Sequence, residues 1–203
     1  EFGLDPNAMA GEAAVRISPS LAGSMVSALD YLATYPHGCT EQTMSSFLPD
    51  VAIQQTLREV GIRRPEVEQK LPAMVQAGLL RLYGYQHADG GWGWWETDQS
   101  DPWMTAYVMF GLHIAQRSGV AVNPRIRESG IQRLMGLAAD EKVPADDAQF
   151  LAYVLALEGK SSEARAVLTR TAGAREKLPY RSLGYRALAL NAAGDGAGAR
   201  AAV

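Results

Sequence analysis

The chain is poor in the residues that build metal, redox and disulfide sites, with one cysteine and three histidines among 203 residues. A single cysteine, Cys39, excludes an internal disulfide and a cysteine-based zinc finger. Scattered histidines without a His-x3-His spacing argue against a metal site, and nothing in the chain asks for a cofactor. Charge of one sign is also missing, because 19 Lys and Arg stand against 22 Asp and Glu for a net charge of −3. So weak a field argues against nucleic acid as a partner. The longest strongly apolar stretches, Met104 to Ala115 and Phe150 to Leu157, fall short of the roughly 18 to 20 residues that cross a bilayer. No charged-then-apolar signal segment opens the chain. Period-two alternation is absent, so almost no sheet is expected. What is present is a 47% hydrophobic chain, long enough to bury a core without covalent staples.

Residues 1–14 carry Gly, Pro, Asn and Asp without a period and read as a tag remainder or disordered lead-in; 15–203 read as one domain. From there Pro19, Pro49, Pro65, Pro102, Pro124, Pro144 and Pro179 each stand at or near the head of an apolar-periodic stretch. Proline suits a first helical turn, where its missing N–H costs nothing. Ser18, Asp101 and Asn123 add a polar cap just before it, and Gly61, Gly119, Gly159, Gly173 and Gly194 offer left-handed stops. The pattern predicts nine helices: 19–34, 40–47, 49–60, 65–85, 102–118, 124–138, 144–158, 161–172 and 179–193. Helix 124–138 has one apolar stripe (Ile131, Leu134, Met135), whereas the stretches 102–115 and 148–157 are apolar nearly all round. The expected fold is therefore all-α, with helical hairpins in two layers as an α/α toroid or solenoid, of which the chain is an incomplete portion of the ring. Helices 102–118 and 144–158 belong inside, with 65–85 and 124–138 outside.

Chemistry concentrates in Tyr35-Pro36-His37-Gly38-Cys39-Thr40-Glu41-Gln42. Pro36 and Gly38 break the chain before a helix whose first turn carries a thiol and a carboxamide three residues apart, hence on one face. If the Cys39 sulfur displaces ammonia from Gln42, a thiolactone ring of roughly fifteen atoms closes. The acyl group is then activated towards amines and hydroxyls without a cofactor. Gly38 permits the sharp turn, and a helix N-terminus favours the thiolate released when the bond opens. Glu41 complements the helix dipole. Tyr35 and His37 precede the turn, either as covers for the thioester or as an ordinary packing aromatic and a solvent-facing imidazole.

YPHGCTEQTMSSFLP resembles the thioester motif of the alpha-2-macroglobulin and complement superfamily, in the form typical of bacterial alpha-2-macroglobulins. SPSLAGSMVSALDYL before it and DGGWGWW with DPWMTAYV after it extend the resemblance to about Gly119. It implies a thioester domain with Cys39 and Gln42 as the thioester pair, normally a toroid of six hairpins, here truncated at the C-terminus. It also implies single-turnover capture of proteases through lysine amines, by an inhibitor rather than an enzyme. No histidine lies in Trp92 to Met104 to pass the acyl group to hydroxyls. The resemblance further implies a periplasmic parent, anchored at the inner membrane or secreted, in contact with adjacent domains and acting beside a penicillin-binding protein.

The segment from Gln86 to Trp95 holds three of the four tryptophans. Trp92, Trp94 and Trp95 are expected to be buried, as a lid over the thioester or as a plug against a neighbouring surface. Gln86, Gly90 and Trp92 also fit part of a repeat of triterpene cyclases, themselves toroids, although an acidic initiating motif is missing and Asp146-Asp147 sits at a plain helix start. The residues also leave room for a Cys-His hydrolase with His37, His87 or His113 as base, and for a binding-only toroid with no thioester.

Overall fold

A polar residue followed by proline starts helices where the pattern places them. Asp101 accepts a hydrogen bond from the Met104 N–H at 2.8 Å, and Asn123 from the Arg125 N–H at 3.0 Å. Each supplies an acceptor that a first helical turn lacks. Gly119, Gly159 and Gly194 follow helix ends with φ of 81°, 76° and 85°, a conformation that costs glycine little. The computed structural model describes residues 38–60 and 65–202. These form α1 (Thr40–Val60), α2 (Pro65–Gly84), α3 (Pro102–Arg117), α4 (Pro124–Ala139), α5 (Ala145–Leu157), α6 (Ser161–Arg170), a 3-10 turn (Ala172–Lys177), α7 (Tyr180–Ala192) and α8 (Gly196–Ala202). No strand occurs among the described residues. The lead-in 1–14, the helix expected at 19–34 and the Gly61 stop lie outside them.

Three expectations need correction. The helices expected at 40–47 and 49–60 are one, α1, with Pro49 inside it. Met44, Phe47 and Val51 are each no more than 1% exposed, and only a continuous helix keeps that row on one face, so packing outweighs the lost backbone bond. Helix 161–172 stops at Arg170 and tightens into the 3-10 turn, and Gly173 does not adopt a positive φ. Finally, α8 is a helix that the sequence does not announce, because GAGARAA carries no amphipathic period. Its start is fixed by Asp195, which accepts from the Gly198 N–H at 2.8 Å.

The helices alternate between two layers. α1 packs on α3, α3 on α5 and α5 on α7, while α2, α4, α6 and α8 each pack on the helix before them. That is the arc of an α/α toroid, with α3 and α5 inside and α2 and α4 outside as the two kinds of helix predict. Leu82, Met104, Met109, Leu112, Leu134, Leu151 and Leu155 are fully buried between the layers, each worth about 1.5–3 kcal/mol relative to exposure. On the inner helices Trp103, Tyr107, Phe110, Phe150, Tyr153 and Tyr185 form a row of tilted or stacked rings, with centroids 4.7 to 6.4 Å apart. At the far end the buried Glu158 carboxylate takes both Arg127 and His113, tying α3, α4 and the end of α5 together. Because inner and outer helices run in opposite directions, the start of α1 lies beside the end of α2.

Candidate functional site at the start of α1

Cys39 stands at the N-cap of α1, and its carbonyl accepts the first helical bond, from the Thr43 N–H at 3.0 Å. A thiol is a poor acceptor for the orphan N–H groups of a first turn. The compensating bond runs the other way, because Gln42 reaches back and its Oε1 accepts from the Cys39 N–H at 3.2 Å. This is the return half of a capping box, with glutamine three residues after the cap. Its consequence is chemical, since it folds the carboxamide onto the residue that carries the thiol. Cys39 is 8% exposed, whereas Gln42 is exposed.

Gly38 has no space for a side chain, because a Cβ there would lie 2.6 Å from Gln42 Oε1 and 2.8 Å from Gln42 Cβ. Its carbonyl accepts from the Tyr85 hydroxyl at 2.7 Å, which pins the turn to the end of α2. Glu41 accepts from the Ser45 hydroxyl at 2.6 Å. A small cavity of about 30 Å³ lies against the carboxamide, lined by Gly38, Gln42, Thr43, Ser46 and Arg81. Tyr35 and His37 fall outside the described residues.

The tryptophan segment joins this site through its backbone. The Thr40 N–H donates to the Trp94 carbonyl and the Asp101 N–H to the Trp92 carbonyl, both at 2.9 Å. One loop therefore seats the starts of both α1 and α3. Trp92 is fully buried, and its indole N–H donates to the Leu82 carbonyl at 2.7 Å. Trp94 and Trp95 are 46% and 62% exposed, so the expectation of burial is met by Trp92 and not by the other two. The reason is a turn closed by the Trp94 N–H on Asp98 at 2.9 Å; Gly93 makes it possible, since a Cβ there would lie 1.9 Å from the Asp98 carboxylate. Gln86 braces the loop against the Gly90 and Ile126 carbonyls at 2.8 and 2.9 Å.

The described histidines are engaged elsewhere. His87 pairs with Ser100 and the Trp95 carbonyl, and His113 with Glu158 at 3.1 Å. Asp146, in the first turn of α5, is held by Arg181 at 2.7 Å and by Ser182, both from α7, so its carboxylate ties two helices together. Further along α1, Asp50 is only 4% exposed and its Oδ1 has no partner among the described residues. Burial pushes its carboxyl up to about 7. Tyr85 and Arg81 escaped sequence reasoning, because only the antiparallel packing of α2 on α1 brings them to residue 38.

The model for the A-macroglobulin TED domain matches residues 15–136. The alpha-2-macroglobulin of Thermotoga maritima is 38% identical over 149 residues, 73% of this chain and 9% of that protein. That of Escherichia coli K12 is 31% identical over 180 residues, 81% of this chain and 11% of the other. The chain thus spans about a tenth of the length of these relatives. Among solved structures, Salmonella alpha-2-macroglobulin reacted with methylamine matches 91% of this chain and 13% of its own, with a TM-score of 0.71 and 28% identity. Native E. coli alpha-2-macroglobulin from domain MG7 to the C-terminus matches 88% of this chain and 30% of its own, at 0.70 and 26%. Sequence and fold agree, and the chain belongs to the A-macroglobulin TED domain family.

Proposed function

We propose that Cys39 and Gln42 form an internal thioester that captures an attacking protease covalently, once per molecule. The observation that carries this reading is the bond from the Cys39 N–H to Gln42 Oε1 at 3.2 Å, which holds the acyl group within the turn that bears the thiol. In forming the bond, the sulfur adds to Gln42 Cδ, the Cδ–Nε2 bond breaks, and ammonia leaves with the thiol proton. In capture, an amine adds to Cδ, the Cδ–S bond breaks, and the amine proton goes to the departing sulfur. The activated bond is consumed, so the domain inhibits and does not turn over.

Gln42 is exposed, which leaves the acyl carbon open to a nucleophile. Lysine amines are the targets we assign, because the described histidines have other partners and direct attack favours the better nucleophile. Gly38 and Glu41 shape the turn, Trp92 anchors the loop, and the exposed Trp94 and Trp95 offer apolar surface that an adjacent domain would cover. The similar Salmonella protein was reacted with methylamine, and the similar E. coli protein was activated by trypsin and by porcine elastase. The parent is placed by this reading in the periplasm, anchored at the inner membrane or secreted, with a penicillin-binding protein as a working partner.

The full-length protein should form a conjugate with trypsin that survives boiling in detergent. Treating the inhibitor with methylamine beforehand, or methylating the lysines of the protease, should remove that conjugate. Absence of any such conjugate at neutral pH would contradict the proposal.

A further inference from the structure

The cavity beside Gln42 is too small for a substrate. At about 30 Å³ it has room for about one water, and its lining includes Arg81 together with Gln42, whose carboxamide is the proposed acyl donor. Arg81 belongs to the last turn of α2, where a cation complements the helix C-terminus. The same packing sets it against the start of α1, where the dipole is positive and the Cys39 N–H already points at Gln42 Oε1. Arg81, which lines the cavity, and the Cys39 N–H are two positive features beside one carboxamide, and they repel each other while its oxygen is neutral. They cooperate when it carries charge, as it does when sulfur or an amine adds to Cδ and the C=O π pair moves onto oxygen.

We infer that Arg81 stabilises this oxyanion, sharing it with the Cys39 N–H, both when the thioester forms and when an amine opens it. The inference rests on the thioester reading above. The oxyanion collapses by expelling ammonia in the first case and the Cys39 thiolate in the second, and the guanidinium keeps its proton throughout. Ser46 and Thr43 complete the wall, but their hydroxyls donate to the Gln42 and Cys39 carbonyls at 3.2 and 3.1 Å. They therefore shape the cavity without supplying its charge.

The test uses the full-length protein and follows thiol release by methylamine in the parent, Arg81→Gln and Arg81→Lys, with intact mass recorded first. The expected result is a parent that carries the bond and an Arg81→Gln variant that either fails to form it or releases thiol about 10- to 100-fold more slowly. Arg81→Lys should recover much of the rate, and millimolar guanidinium should rescue Arg81→Ala, a response that a purely structural arginine would not give. Circular dichroism and the alkylation rate of the freed Cys39 should be unchanged, with Arg81→Met replacing Arg81→Gln should helicity fall. A parent with the bond and an Arg81→Gln variant that reacts at the parent rate would overturn this inference alone. A parent without the bond would overturn the thioester reading and this inference with it.

Discussion

Two inner helices begin on the same loop and begin differently. α3 starts with Asp101, whose carboxylate caps the Met104 N–H at 2.8 Å, followed by proline. α1 starts with Cys39, whose thiol cannot cap, and leaves the capping to Gln42, which reaches back at 3.2 Å. The two helices differ along their lengths as well. α3 buries apolar residues apart from Thr105, while α1 carries Pro49 inside it and a buried Asp50 whose Oδ1 finds no partner among the described residues. α3 is capped and packed by the ordinary rules where α1 departs from them, and the departures in the first turn of α1 fall on the pair proposed to form the thioester.

The contrast can be broken most severely at Cys39. Cys39→Ala should abolish covalent capture in a trypsin conjugation assay and leave the helical content unchanged, since the thiol caps nothing. Gly38→Ala should come next, because its Cβ would fall 2.6 Å from Gln42 Oε1. Displacing the carboxamide should reduce the fraction of molecules with the bond by about tenfold, measured as alkylatable thiol in fresh protein. Asp50 tests the cost carried by α1. Its carboxyl goes from 3.8 when unfolded to about 7 when folded, so between those values the folded state binds more protons and stability falls as pH rises. The penalty is absent below the lower value and complete above the upper. Asp50→Asn should therefore melt several degrees higher at pH 8 and show little difference at about pH 4. Asp101→Ala should cost about 1 kcal/mol in denaturant unfolding and spare the acyl chemistry. The smallest effect belongs to Tyr85→Phe, at about 1 kcal/mol or less, with a modestly slower methylamine reaction because the Gly38 carbonyl loses its tether.

Legibility in the sequence followed locality. Asp101-Pro102, Asn123-Pro124, Gly119, Gly159 and Gly194 state their helix boundaries within a few residues, and the structure agrees with all of them. Pro49 suggests a boundary that does not exist, because what overrides it is a buried row supplied by packing on α2 and α3. α8 is hidden because its residues carry no pattern of their own, only an acceptor at Asp195 and a neighbour in α7. At the site the pair itself is readable, since three residues of spacing suffices. Tyr85 and Arg81 are not, because they lie about forty residues away in sequence and meet the turn only through the hairpin. Trp94 and Trp95 show the converse: hydrophobicity predicts burial, but a turn fixed by Asp98 and Gly93 decides their exposure.

Every chemical step above depends on the carboxamide that folds back on Cys39 becoming its acyl partner, and the intact mass of freshly purified full-length protein decides whether it does. A bonded pair leaves a deficit of about 17 Da from lost ammonia, with Cys39 hidden from alkylation. Methylamine should then add about 31 Da and expose one thiol at the same rate. A protein of full mass at neutral pH, with Cys39 completely alkylatable and no change on adding methylamine, would contradict the thioester.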